Sequence, residues 1–370
     1  MSVHFNSKLS SIPGYTPGVP KGHSAEDVAG STLAQLASNE SPYAPLPEVV
    51  EAIAAASGSM NRYPDPEATL LRRRLGELHG VDPDRIAPAN GSCEILLAAA
   101  DALLEPGAEI VYAWPAFSMY PILAAMSGAR EIRVPLAPGE VHDLEAILTE
   151  ITAATQLVLV CNPNNPTGTY IPFAEIASFV DRVPSHVTVI LDEAYIEFQT
   201  EDDPNASVQL LEKYENLVLL RTFSKSHSLA GLRVGYAIGS PAFRAAVDAV
   251  RQPFSVNALA QAAAVEALKH GETIRRQILT AIQERDRVES GFAAIGLETA
   301  RTAANFSWIS LGENGVEIED HVIADLAEAG IIVRAGRLLG GPGRLRISYG
   351  SVEENDRMLE ALGHSIRTHS

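Results

Sequence analysis

Short apolar runs alternate with amphipathic stretches through the middle of this chain. Between about residues 90 and 240, β-rich runs at 109–112, 131–136, 157–161, 187–191, 217–220 and 234–238 are separated by segments with helical spacing. That alternation predicts a mostly parallel sheet with helices on its faces. The runs Leu157-Val-Leu-Val160 and Val187-Thr-Val-Ile-Leu191 have almost no polar side, as expected for strands covered from both directions. The segment 92–104 is one of the helices expected to supply the cover.

The flanks follow different rules. Before residue 49 the chain carries Pro13, Pro17, Pro20, Pro42, Pro45 and Pro47 together with Gly14, Gly18 and Gly22, which rules out long helices and predicts an extended arm. Helical spacing then begins at Val49, Val50, Ile53 and Ala54, and a second amphipathic stretch covers 67–78. After Pro253 a long alanine-rich helix is expected, with Ala258, Ala262, Val265 and Leu268 on one face. Beyond it, strands at 305–311, 330–334 and 344–349 mix with helices at 318–329 and 351–362, the order of an α+β unit. The expected division is an arm with part of a small domain at 1–48, a large domain at 49–255, and a small domain at 256–370 that opens with the long helix.

Composition narrows the functional classes. At 370 residues the chain exceeds the usual size of a single core, in keeping with a large and a smaller domain. Lys and Arg number 28 against 46 Asp and Glu, a formal charge of −18 that opposes nucleic acid and anionic membranes as partners. Cys93 and Cys161 are far apart and form no CxxC, so neither a disulfide framework nor a zinc site is expected. Residues 1–11 lack the pattern of a signal peptide and no apolar run reaches about 18 residues, so a soluble, cytoplasmic protein is expected.

In open α/β sheets ligands bind at the carboxyl ends of strands, so the residues after each apolar run carry the candidate chemistry. The run at 157–161 is followed by Asn162-Pro-Asn-Asn-Pro-Thr-Gly168. The run at 187–191 is followed by Asp192-Glu-Ala-Tyr195, and that at 217–220 by Arg221-Thr-Phe-Ser-Lys225. Three strand ends thus offer an amide, a carboxylate with a phenol, and an amine. A nicotinamide dehydrogenase is excluded because no GxGxxG follows the first strand, and Gly340-Gly-Pro-Gly343 reads as a turn.

Ser38-Asn-Glu-Ser-Pro-Tyr43, Asn61-Arg-Tyr-Pro-Asp65 and the segment Thr222-Phe-Ser-Lys-Ser-His-Ser-Leu-Ala-Gly-Leu-Arg-Val-Gly-Tyr236 join these motifs, and the resemblance they carry extends over roughly residues 12–362. In this order and spacing the chain resembles the fold type I pyridoxal 5′-phosphate (PLP) aminotransferases, and among them the histidinol-phosphate aminotransferase family. The resemblance implies an α/β large domain with a mostly parallel seven-stranded sheet plus a smaller α+β domain. It makes Lys225 the lysine that condenses with the cofactor aldehyde and then moves a proton between substrate and cofactor. Asp192 becomes the partner of the pyridinium nitrogen. Tyr195 and Asn165 become neighbours of the ring hydroxyl oxygen, and Phe117 the ring that stacks on the pyridine.

The phosphate is expected at the N-terminus of the helix opening Gly91-Ser92-Cys93, with Thr222, Ser224 and Arg233 completing the clamp. Tyr63 resembles a tyrosine that reaches the phosphate of a neighbouring subunit, which implies a homodimer. Arg346 matches the residue that binds the α-carboxylate of glutamate and 2-oxoglutarate, while Arg334 and Tyr15 match those that bind the phosphate of histidinol phosphate. Arg337 reads as a solvated arginine and His227 is given no chemistry. The implied reaction takes glutamate and imidazole acetol phosphate to 2-oxoglutarate and histidinol phosphate, a step of histidine biosynthesis. The alternatives are an aromatic amino acid (phenylalanine) aminotransferase, whose motifs are nearly the same, and a threonine-phosphate decarboxylase on the same scaffold.

Overall fold

The computed structural model describes residues 4–10, 12, 14 and 33–369. A short strand β1 (Ala34–Gln35) precedes the large sheet, whose strands in chain order are β2 (Ile86–Ala89), β3 (Glu109–Trp114), β4 (Arg130–Pro135), β5 (Thr155–Cys161), β6 (Thr188–Asp192), β7 (Leu217–Thr222) and β8 (Gly235–Ile238). Across the sheet they lie in the order β2-β8-β7-β6-β5-β3-β4. Only β8 runs against its neighbours; the pairs from β7 to β4 are parallel.

Apolar residues on both sides of each central strand explain the burial. Val158 and Val160 of β5 face one core with Phe179 and Ala264, while Leu157, Leu159 and Cys161 face a second core with Ile95, Leu96 and Tyr120. Asp192 follows Ile190 on the second side, beneath the helices Ser92–Leu103 and Met119–Ser127. Six of these strands match the expected runs. The seventh, β2, is disguised by Pro88 in Ile86-Ala-Pro-Ala89; it sits at the sheet edge, where a residue lacking an N–H is tolerated.

The C-terminal unit holds β9 (Glu298–Thr299), β10 (Phe306–Ser310), β11 (Ile331–Ile332), β12 (Arg334–Ala335) and β13 (Arg344–Ser348). Its four-stranded sheet has the order β12-β13-β10-β9 and is antiparallel. The single strand expected at 330–334 is in fact two. β11 pairs in parallel with β1, whereas Arg334 has crossed to pair with β13. Ala34 and Leu36 thereby join the core of this unit with Phe292, Ile309, Leu345 and Met358.

The long alanine-rich helix also differs from expectation. It is broken into Ala258–Ala267, a 3-10 turn Leu268–His270, and Gly271–Ala294. Ala260, Ala263, Ala264 and Ala267 pack into the core of the large sheet, and only from Val288 does the second helix enter the core of the C-terminal unit. The first of these helices thus packs with the large sheet, and the end of the second with the C-terminal unit. Small alanine side chains let the first helix lie close to its neighbours, an affinity that helical periodicity does not express.

Candidate active site

Loops at the carboxyl ends of β3, β5, β6 and β7, the N-terminus of the helix Ser92–Leu103 and strands β12 and β13 enclose a cavity of about 330 Å3. Ser92, Cys93, Phe117, Asn165, Asp192, Tyr195, Thr222, Ser224, Lys225, Arg233, Arg334 and Arg346 all line it. Tyr63 does not; it is 82% exposed and stacks on Phe254, ring centroids 4.5 Å apart. Tyr15 lies outside the described residues.

The loop after β5 is held by its own amides. Asn162 Nδ2 donates to Ile171 O at 2.8 Å, and Ile171 N donates back to Asn162 Oδ1 at 2.8 Å. Asn165 is thereby aimed inward, where its Nδ2 donates to Tyr195 Oη at 3.3 Å and its Oδ1 accepts from Arg346 Nη1 at 2.7 Å. Tyr195 Oη accepts a second bond from Asn39 Nδ2 at 3.0 Å. A phenol has two acceptor lone pairs and one donor. With both lone pairs engaged, Tyr195 retains its hydrogen as the bond it can offer a ligand. Burial raises its pKa, partly offset by the Arg346 charge, so the hydrogen stays in place at neutral pH.

Lys225 Nζ donates to Ser38 O at 3.0 Å and lies 5.9 Å from the centre of the Tyr195 ring. Burial, then the charges of Arg346 and Arg233 against the opposing pull of Glu40, lower its pKa to about 8. A neutral, nucleophilic amine is therefore accessible near physiological pH. Asp192 is 4% exposed; its Oδ2 accepts from Tyr120 Oη at 3.0 Å and its Oδ1 from Ala194 N at 3.2 Å. Burial pushes its pKa up to about 6, against the stabilising effect of these two donors.

At the other end of the cavity the chain makes a cup. Gly91 precedes the helix Ser92–Leu103 with φ +79°, and a Cβ added to it would lie 2.5 Å from Arg233 Nη2. A Cβ on Gly235 would lie 2.7 Å from Ser92 N. Two glycines thus bring a helix N-terminus, the start of β8 and a guanidinium into one corner, where the helix dipole and unpaired N–H groups favour an anion. Arg233 is itself in the left-handed region at φ 57° and donates from Nη1 to Ala230 O at 2.9 Å. Beside it, Thr222 Oγ1 donates to Ser224 Oγ at 2.9 Å.

Arg334 and Arg346 stand directly opposite each other on β12 and β13, 5% and 6% exposed. Residues opposed on neighbouring antiparallel strands share a face, so both arginines are directed to the cavity that they line. Arg337 pairs with Glu319 and Asp320 and is not among the residues that line the cavity. His227 hydrogen-bonds Ser226 and packs edge-on to Phe223, its pKa lowered to about 4 by burial. Sequence reasoning missed Asn39 and Tyr120 as site residues. Asn39 sits within a quoted motif, whereas Tyr120, in the first turn of the helix Met119–Ser127, left no such signal.

Residues 31–362 match the family described as Aminotransferase class I and II. The chain belongs to the class I and II aminotransferases. This aminotransferase is 44% identical over 363 residues to the aromatic amino acid aminotransferase of Thermobifida fusca, covering 96% of this chain and 95% of the relative. It is 42% identical over 365 residues to the histidinol-phosphate aminotransferase of Geobacillus thermodenitrificans, covering 99% of both. Among solved structures, histidinol-phosphate aminotransferase from Sinorhizobium meliloti in complex with pyridoxal 5′-phosphate superposes with a TM-score of 0.90 at 29% identity, covering 100% of this chain and 99% of that one. The aminotransferase has the fold type I architecture, and its cofactor is PLP. Among the described residues no helix is long and apolar enough to cross a membrane, and no cluster of His, Cys, Asp or Glu is arranged to hold a metal ion.

Proposed function

We propose that this aminotransferase transfers the amino group of glutamate to imidazole acetol phosphate, giving 2-oxoglutarate and histidinol phosphate in histidine biosynthesis. The observation that carries the reading is the buried pair Arg334 and Arg346, opposed on neighbouring strands in the cavity wall. Glutamate presents two carboxylates and the second substrate a phosphate. In this reading Arg346 takes the α-carboxylate, and Arg334, with Tyr15 from the arm, takes the phosphate.

The cavity fits PLP on its own geometry. The cup at Gly91, Ser92 and Cys93, with Thr222, Ser224 and Arg233, suits a phosphate, because an added Cβ at Gly91 or Gly235 would fill it. Asp192 offers a carboxylate to a protonated ring nitrogen, Tyr195 a hydroxyl hydrogen to the ring oxygen, and Phe117 an apolar face. Bound PLP supplies an aldehyde that condenses with amines and a ring that accepts electron density from the substrate Cα. Lys225 Nζ, near neutrality through burial, is the base that removes the Cα proton and returns it. Asn165 holds both Tyr195 and Arg346, tying the cofactor side of the site to the carboxylate side.

The exposed Tyr63 and Phe254 pair supports a homodimer in which Tyr63 reaches the phosphate of the second copy. A second substrate reading, aromatic 2-oxo acids, is favoured by Leu339, an apolar side chain that lines the same cavity. Steady-state kinetics with glutamate as donor decide between them. A kcat/KM for phenylpyruvate above that for imidazole acetol phosphate refutes the leading reading.

A further inference from the structure

We propose that Tyr120 is a positioning residue whose hydroxyl, donated to Asp192 Oδ2 at 3.0 Å, keeps that carboxylate ionised and fixes its orientation toward the cavity. The proposal rests on the reading above that Asp192 faces the ring nitrogen of PLP.

Tyr120 is fully buried in the helix Met119–Ser127, its ring locked edge-on against Tyr112 at 5.4 Å and Phe117 at 5.9 Å. It therefore links the ring-facing Phe117 to the carboxylate beneath. The titratable groups around Asp192 are Tyr120 from that helix, Cys161 opposite it on β5, Cys93 from the helix Ser92–Leu103, and Glu193 and Tyr195 from its own segment. Leu220 flanks it on β7. None of these groups is a cation. The carboxylate is held ionised by two hydrogen-bond donors, the Tyr120 hydroxyl and Ala194 N–H.

Burial places Asp192 at about 6 even with both donors present, so losing one moves its titration into the neutral range. Burial and the neighbouring carboxylate drive the Tyr120 phenol well above its usual value, so it acts only as a donor. A carboxylate has about four lone-pair positions, and the two bonds use one on each oxygen. They orient the group and leave lone pairs for a ligand N–H. A protonated Asp192 loses the charge that holds a pyridinium proton, which weakens both cofactor binding and the ring's capacity to accept electrons.

The test is Tyr120→Phe, which keeps the ring packing and deletes the donor. Dissociation constants are measured from about pH 5.5 to 8.5 for PLP and for the 1-deaza analogue, in which a carbon replaces the ring nitrogen. One charge-assisted hydrogen bond corresponds to about one to two pH units. The acid limb of PLP affinity therefore moves from about pH 6 to about pH 7 or above, making binding about fivefold or more weaker at pH 6, with the deficit shrinking toward pH 8.5. Affinity for the deaza analogue is the same in both proteins. A loss equal at every pH and for both cofactors marks a purely structural role and overturns the proposal, as does an unmoved acid limb while Asp192→Asn abolishes it. If Asp192→Asn binds both cofactors as the wild type does, the assignment of Asp192 itself fails and the proposal with it.

Discussion

Gly235→Ala tests whether the phosphate cup depends on close approach of backbone to backbone. The added Cβ would lie 2.7 Å from Ser92 N, 3.0 Å from Arg221 O and 3.1 Å from Gly91 C. All three atoms are main chain, so no side chain can swing aside. Ordinary carbon contacts begin at about 3.5 Å, so the helix N-terminus has to retreat by about 0.8 Å from β8. Overpacking of this kind destabilises a fold by about 1–3 kcal/mol. The same retreat stretches a hydrogen bond of about 2.9 Å from Ser92 N to a phosphate oxygen beyond the distance at which it counts as one. Losing one bond to a charged group weakens PLP by about 1.5–3 kcal/mol, or roughly 10- to 150-fold.

Titration of the apoenzyme with PLP, followed by absorbance, reads the affinity, and thermal unfolding without cofactor reads the packing strain. Gly271→Ala is the control, because nothing lies within 4 Å of a Cβ there; it is expected to be neutral or slightly stabilising. Wild-type PLP affinity together with an unchanged melting temperature in Gly235→Ala refutes the reasoning.

Three further outcomes are expected. Lys225→Ala keeps the fold by circular dichroism but loses the visible absorbance of bound cofactor and all transamination; full activity in this variant removes Lys225 from the mechanism. The rate of PLP uptake by the apoenzyme rises with pH through a midpoint of about 8, because the amine is lowered from its usual value by burial and adjacent guanidiniums, and only its neutral form attacks. Glu40→Gln moves that midpoint down, since the Glu40 carboxylate favours the charged amine, and a midpoint near 10 in the wild type contradicts the assignment. Arg334→Met lowers kcat/KM for imidazole acetol phosphate far more than for phenylpyruvate, by about tenfold or more for a lost charge-assisted bond; equal losses show that Arg334 does not read the phosphate.

The elements, and the ends at which chemistry gathers, are legible in local pattern alone. Runs such as 157–161 and 187–191 declare buried parallel strands because both of their faces are apolar, and in such sheets Asn165, Asp192 and Lys225 necessarily emerge at the carboxyl edge. That information is local, carried by periodicity and by the residues next to each strand. Tertiary structure decided what those residues touch. Asn39 meets Tyr195 across 156 positions, and Arg346 meets Asn165 across 181. Arg334 faces Arg346 only because the expected strand at 330–334 breaks and passes from β1 to β13. The helix Ala258–Ala267 joins the large core because alanine permits close packing, and Tyr120 reaches Asp192 because two elements 72 residues apart stack at the same sheet face. None of these pairings leaves a periodic trace, since each is set by how separate elements pack.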